Sequence, residues 1–186
     1  VCLGLSSSMD VKDIENASRL ESGRNLLKSL VNKLSGQRIG LCIFAQNAIV
    51  QLPLTRDYEQ FKLMVSDANT NHFSNQGTNV GGALMKAMLS FEKKKAAHSI
   101  LLITDGEDHE ASLNTIVDSL SLSNIKLLSI AVGTESGGPI LRSDKKSMRL
   151  DAAGNIILSK VDLSLVKRLS EQTKGPWFHI NQGTRF

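Results

Sequence analysis

The stretch SILLITDGEDHE, residues 99–110, decides the fold. Ser99–Ile103 is the most hydrophobic run in the chain. A continuous apolar run, unlike one that alternates with polar residues, marks a strand covered on both faces of its sheet. Thr104-Asp105-Gly106 ends it with a polar turn. Leu113, Ile116, Val117 and Leu120 then recur at the three-to-four-residue spacing of a helix. The segment is therefore strand, turn, helix.

The same unit recurs on both sides of it. Val1–Leu5 (VCLGL) reads as a short buried strand, and Leu20, Leu27, Leu30, Val31 and Leu34 mark a helix within Arg19–Ser35, with Gly36 at its C-terminal cap. Ile39–Phe44 is a second continuous run. It passes through Gln46-Asn47 into Ala48–Leu52, which reads as a tight hairpin to an antiparallel edge strand ended by Pro53. Thr55 is placed to cap a helix carrying Tyr58, Phe61 and Met64. Val80, Ala83, Leu84, Ala87, Met88 and Phe91 line another helix after the polar loop Asn69–Gly77. Lys126–Val132 is a further buried strand, Val161–Thr173 a last helix closed by Gly175, and Trp177–Ile180 a last strand. Strands alternating with helices imply right-handed crossovers and a doubly wound, mostly parallel α/β sheet. Only Glu135–Ile157 breaks the rhythm. It is a polar, glycine-rich excursion in which DAAGN, residues 151–155, suggests a hairpin turn, and the basic stretch Arg142–Arg149 reads as its solvated tip.

The bulk composition limits the functions on offer. The 186 residues fit one domain, and 41% are apolar, enough for a substantial core. A net charge of +4 defines no partner, and 4% aromatic content leaves little for base stacking, so nucleic acid is not expected. The short run Lys93–Lys95 ends a helix and has no aromatic company. Cys2 and Cys42 both lie in apolar runs and read as small buried hydrophobes. No stretch reaches the ~18–20 apolar residues of a membrane span. The chain starts inside a strand without Met and is expected to be a piece of a longer protein.

In an open parallel sheet, ligands bind beyond the carboxyl ends of the strands. Three segments fall there: Ser6-Ser7-Ser8, Gln76-Gly77-Thr78 and Thr104-Asp105-Gly106. Together they gather hydroxyls and a carboxylate, the hard oxygen donors that Mg²⁺ or Ca²⁺ prefers. Taken alone, the serines also read as hydroxyls that satisfy a strand end, and Thr78 as a helix cap. Enzyme readings find less. Neither a G-x-S-x-G elbow nor a phosphate-loop spacing is present, and Ser6–Ser8 has no base to activate it. His109 has no second ligand at zinc spacing.

The chain resembles the von Willebrand factor A domains, whose metal-ion-dependent adhesion site reads D-x-S-x-S after the first strand, then a threonine, then an aspartate after the fourth strand. Ser6 and Ser8 match the serines, Thr78 the threonine and Asp105 the second aspartate. SRLESGR, RIGLCIFAQNAIVQLPLTRDY, QGTNVGGAL and ILLITDGEDHE are similar to the bacterial aerotolerance (Bat-type) branch. The resemblance implies a strand order 3-2-1-4-5-6 with one antiparallel edge strand and a protein-binding, non-enzymatic function. It also implies a divalent cation, Mg²⁺ above all, and a membrane-anchored parent with this domain on the periplasmic face and out of direct membrane contact. The departure is at position 4, where Gly4 replaces the first aspartate of the motif. One carboxylate of two is missing, so metal binding at Ser6, Ser8, Thr78 and Asp105 is expected to be weak or lost. Asp10 and Asp13 lie just downstream, yet neither restores a carboxylate at position 4. The partner surface is expected to include Ser7, Asp10, Gln76, Gly77, Glu107 and Asp108. A structural subunit using its helix faces and, less favoured, a small-molecule or hydrolytic α/β enzyme at the same edge are the alternatives.

Overall fold

The computed structural model describes residues 1–186 apart from 16, 92–96, 107–112, 143–146, 182–186 and the side chain of Asn114. The elements run β1 (Cys2–Gly4), α1 (Arg19–Val31), β2 (Ile39–Phe44), β3 (Ala48–Thr55), α2 (Tyr58–Asp67), α3 (Val80–Leu89), β4 (His98–Thr104), α4 (Leu113–Leu122), β5 (Ile125–Val132), β6 (Gly138–Pro139), β7 (Leu158–Ser159), α5 (Leu163–Thr173) and β8 (Trp177–Ile180). Six strands form one sheet in the order β3-β2-β1-β4-β5-β8. The β2–β3 pair is antiparallel and the other four pairs are parallel, which is the expected order with β6 and β7 standing outside the sheet.

The continuous apolar strands are buried from two sides. On one face Leu20, Leu27 and Val31 of α1 and Phe61 and Val65 of α2 cover Leu3, Leu41, Ile43 and Ile103. On the other face α3, α4 and α5 cover Cys2, Cys42, Phe44, Ile100, Leu102 and Leu127. Cys2 and Cys42 are register partners on adjacent strands, and both are free and buried. No helix among the described residues is long and apolar enough to cross a membrane.

The structure corrects several local expectations. β3 continues through Pro53 to Thr55, because an edge strand has an unpaired side on which a missing N–H costs nothing. The cap of α2 is then Asp57, which accepts from the Gln60 amide at 2.9 Å, and not Thr55. α1 ends at Val31 with Asn32 in helical conformation, well before Gly36. Helix α5 is capped by Lys174 in the left-handed conformation. Gly175 serves a different need, since a Cβ there would overlap the Leu127 carbonyl. The excursion does form a hairpin, with β6 antiparallel to β7 and a turn closed by hydrogen bonds between Asp151 and Asn155.

Candidate functional site

β1, β2 and β4 are neighbouring strands, and β1 runs parallel to both others, so the segments that leave their carboxyl ends converge on one edge of the sheet. Ser6 precedes a single 3-10 turn, Ser7–Asp10, but its side chain caps nothing. Its Oγ lies instead 2.8 Å from Ser8 Oγ. The Ser7 amide donates to Gln76 Oε1 at 2.7 Å, which ties the first loop to the segment before α3. Asp10 accepts from Thr70 Oγ1 at 2.6 Å and is committed there. Gly77 has φ +139, a backbone conformation that L side chains rarely adopt.

Thr78 sits just off β2, since the next residue, Asn79, donates its amide to the Ala45 carbonyl at 2.8 Å. The cap of α3 is Asn79, whose Oδ1 accepts from the Gly82 amide at 2.6 Å, so Thr78 is not the cap. Its hydroxyl is buried without a partner. Asp105, at the end of β4, is fully buried, with Oδ2 held by Arg19 Nη1 at 3.2 Å and Oδ1 unpartnered. Among the described residues three buried side-chain polar atoms have no hydrogen-bond partner, and two of them are Thr78 Oγ1 and Asp105 Oδ1. An orphaned buried acceptor costs roughly 1–3 kcal/mol. Two such groups leave this sheet edge with unused hydrogen-bonding capacity.

Arg19 is the residue that sequence reasoning missed. It opens α1, where an arginine ordinarily faces water, yet its side chain is fully buried. Its Nη2 donates to Asp13 Oδ2 at 2.8 Å and to the Ser159 carbonyl at 3.0 Å, and its Nη1 to Ser159 Oγ at 2.9 Å. The Thr134 amide and hydroxyl also donate to Asp13 Oδ2, at 2.9 and 3.0 Å. Burial would raise the Asp13 pKa, but the hydrogen bonds and charge of Arg19 and the bonds from Thr134 outweigh it and hold the carboxyl below its ordinary value. No spacing in the sequence announces this cluster; only the fold brings positions 13, 19, 105, 134 and 159 together.

Gly106 follows Asp105 with φ +94, and a Cβ there would overlap the Asp162 carbonyl. The Asp162 amide donates to the Asp105 carbonyl at 2.9 Å, so the turn after β4 is packed against the entry to α5. Glu107, Asp108 and His109 lie outside the described residues.

The model of the von Willebrand factor type A domain family matches residues 1–107, more than half of the chain. The chain is a von Willebrand factor type A domain. Domains of this family are in general interaction modules and not enzymes. Its structure is similar to that of BatB from Bacteroides thetaiotaomicron, 30% identical, with a TM-score of 0.91 and coverage of 98% of this chain and 89% of that one. It is equally similar to an aerotolerance-related membrane protein from Bacteroides fragilis NCTC 9343, solved with multiple mutations to serines: 30% identical, TM-score 0.90, 97% of this chain and 89% of that one. A protein of Borreliella burgdorferi is 24% identical over 192 residues, and the match takes in all of this A domain but 54% of the relative's own length.

The family's metal can be tested against the donors present. A Cβ at Gly4 would stand 3.3 Å from the Ile103 carbonyl and 3.5 Å from Phe44 Cζ, and the glycine supplies no carboxylate at the end of β1. The remaining donors are three neutral hydroxyls and one oxygen of Asp105, whose charge is already shared with the Arg19 guanidinium. No group of three or more His, Cys, Asp or Glu side chains is placed to hold a metal among the described residues. Mg²⁺ surrenders its waters reluctantly and relies on carboxylates to replace them. These donors do not fit a tightly held divalent ion.

Proposed function

We propose that this chain is a protein–protein interaction domain, one unit over residues 1–186, that meets its partner at the carboxyl edge of the sheet without a tightly bound metal. In the same reading its parent is a longer, membrane-anchored protein, with this domain on the extracytoplasmic side. The observation that carries it is the pair of buried, unsatisfied acceptors, Thr78 Oγ1 and Asp105 Oδ1, beside a position where Gly4 has removed the motif's first carboxylate. Ser6, Ser8, Thr78 and Asp105 then offer hydrogen bonds where metal-loaded relatives would offer coordination. Ser7, Asp10, Gln76 and Gly77 belong to the same proposed partner surface, and so, from the sequence, do Glu107 and Asp108.

Titration calorimetry of the purified domain with Mg²⁺ and Mn²⁺, beside a Gly4→Asp variant, tests this. The expected outcome is heat of binding in the variant alone. The added Cβ meets the Ile103 carbonyl closely, so circular dichroism accompanies the titration to show that the variant is folded. Comparable binding by both proteins would return the metal-dependent mechanism to first place. In the full-length protein, Asp105→Asn and Thr78→Val should weaken the association with whatever partner the wild type retains in its membrane. Unchanged association would move the interface away from this edge.

A further inference from the structure

β1 is three residues long, yet it lies between β2 with six and β4 with seven. Cys2 stands level with Cys42 on one side and Leu102 on the other, and the three strands run parallel. Ile39–Leu41 and His98–Leu101 therefore run on past the level of Cys2 toward the amino end of the sheet, with Val1 between them. Val1 continues the ladder. Its nitrogen donates to the Gly40 carbonyl at 2.9 Å, and its carbonyl accepts from the Cys42 amide at 2.7 Å. Past Val1 the two strands form the sides of a cavity of about 850 Å³. Leu26 and Leu30 of α1 line it on one face of the sheet, and Ala87 and Phe91, at the end of α3, on the other. Packed interiors hold few voids larger than a water molecule, so a cavity of this size is a place for an occupant.

The walls decide what that occupant is. The facing edges of β2 and β4 present backbone groups, which an extended strand satisfies and an apolar small molecule does not. Small ligands of open parallel sheets bind beyond the carboxyl ends of the strands, and this cavity lies at the amino ends. The Val1 nitrogen is already in the ladder, so a residue joined to it starts inside the cavity. Burial also disfavours charge on that nitrogen, and the position suits an amide better than an ammonium. Side-chain alternation gives the pattern. Val1 and Leu3 pack on the α1 face of the sheet and Cys2 on the α3 face. The residue before Val1 therefore turns toward Ala87 and Phe91, and the one before that toward Leu26 and Leu30. Both walls are apolar, so apolar side chains are expected at both positions.

We propose that the residues preceding Val1 in the longer parent extend β1 by about three positions between β2 and β4, as a continuous apolar strand. The proposal rests on reading the chain as part of a longer, anchored protein, and it adds an orientation to that reading. Whatever precedes the domain enters at the amino end of the sheet. The candidate edge, at the carboxyl end of β1, is directed away from it. β1 then joins the incoming segment in line to the loop that carries Ser6 and Ser8.

Hydrogen exchange of the full-length parent in detergent, read at single amides, tests it. In a parallel ladder the residue two before Val1 faces β2 again, and its carbonyl takes the Gly40 amide. That amide is expected to exchange about a hundredfold or more slowly than a free one, as the Cys42 amide does through its bond to Val1. Aspartate substituted two residues before Val1 puts a charge against Leu26 and Leu30. It should speed exchange at Gly40 by about tenfold or more, while leucine at the same place leaves it slow. Rapid exchange at Gly40 beside a slow Cys42 would overturn the proposal, as would polar residues at the two positions before Val1. Slow exchange at Gly40 only at high protein concentration would mean that a second copy supplies the strand. Fast exchange with binding of an anilinonaphthalene dye, lost in Leu30→Asp, would mean that the cavity takes a small molecule. Either result overturns the proposal. N-terminal sequencing of the native protein keeps the two readings apart. An end at Val1 removes the longer parent and this proposal with it, whereas an upstream end with a fast Gly40 sinks this proposal alone.

Discussion

Two halves of one sheet edge share a single carboxylate and treat it differently. On the side of α1 and the hairpin, Asp13, Arg19, Thr134, Ser159 and Asp105 Oδ2 form a closed set in which the donors and acceptors meet within 3.2 Å. On the side of β1 and α3, Ser6 and Ser8 satisfy each other while Thr78 Oγ1 and Asp105 Oδ1 are left over. Burial is the same on both sides, so the difference is one of hydrogen-bond completeness. A closed buried network stabilises and specifies a fold, and an open one holds free energy in reserve for a ligand. The first half is therefore assigned to structure, and the second is the half on which the proposed function rests.

The largest expected effect comes from opening the closed half. Arg19→Met leaves two buried carboxylates facing each other without their cation, and such a loss costs about 3–5 kcal/mol. Urea unfolding should show it as a large fall in midpoint. A change under about 1 kcal/mol would mean that the cluster is not the anchor described, and the contrast between halves would dissolve.

Acid should act on the same half at a smaller scale. The folded pKa of Asp13 lies below its ordinary value, so its contribution is fully present above the unfolded value near 4 and is lost as pH falls through the folded one. Unfolding free energy measured from neutral pH downward should decline more steeply in the wild type than in Asp13→Asn. Equal slopes would place the acid sensitivity elsewhere.

The smallest effect tests the open half. Thr78→Val removes a hydroxyl that bonds to nothing and replaces it with a methyl of similar shape, so stability should be unchanged or rise by up to about 1 kcal/mol. A loss comparable to that of Arg19→Met would show that the hydroxyl is satisfied in solution and that the two halves are alike.

How far the sequence reaches follows the same division. The order of the six strands was legible because each buried strand is a continuous apolar run, and a fold that alternates strand and helix has few ways to wind. Ser6, Thr78 and Asp105 could be placed at one edge because parallel strands bring their ends together. Arg19 could not be found, because its burial depends on three partners, Asp13, Asp105 and Ser159, two of them supplied by distant segments. The caps failed for a more local reason: Thr55 and Thr78 each lie one or two residues before an Asp or Asn that does the capping, and strand extension or tertiary packing decides between such neighbours. The excursion reads in sequence as a basic, solvated tip, and the exposure of its apolar side chains Met148, Leu150, Ile156 and Leu158 becomes visible only in the fold.

The contact between Gly106 and Asp162 gives this domain a built-in clock. The Asp162 amide can exchange its proton with solvent only when its bond to the Asp105 carbonyl breaks, so its exchange rate counts openings of the turn after β4. A partner that grips that turn slows the clock from fifty-seven residues away in sequence, without touching Asp162.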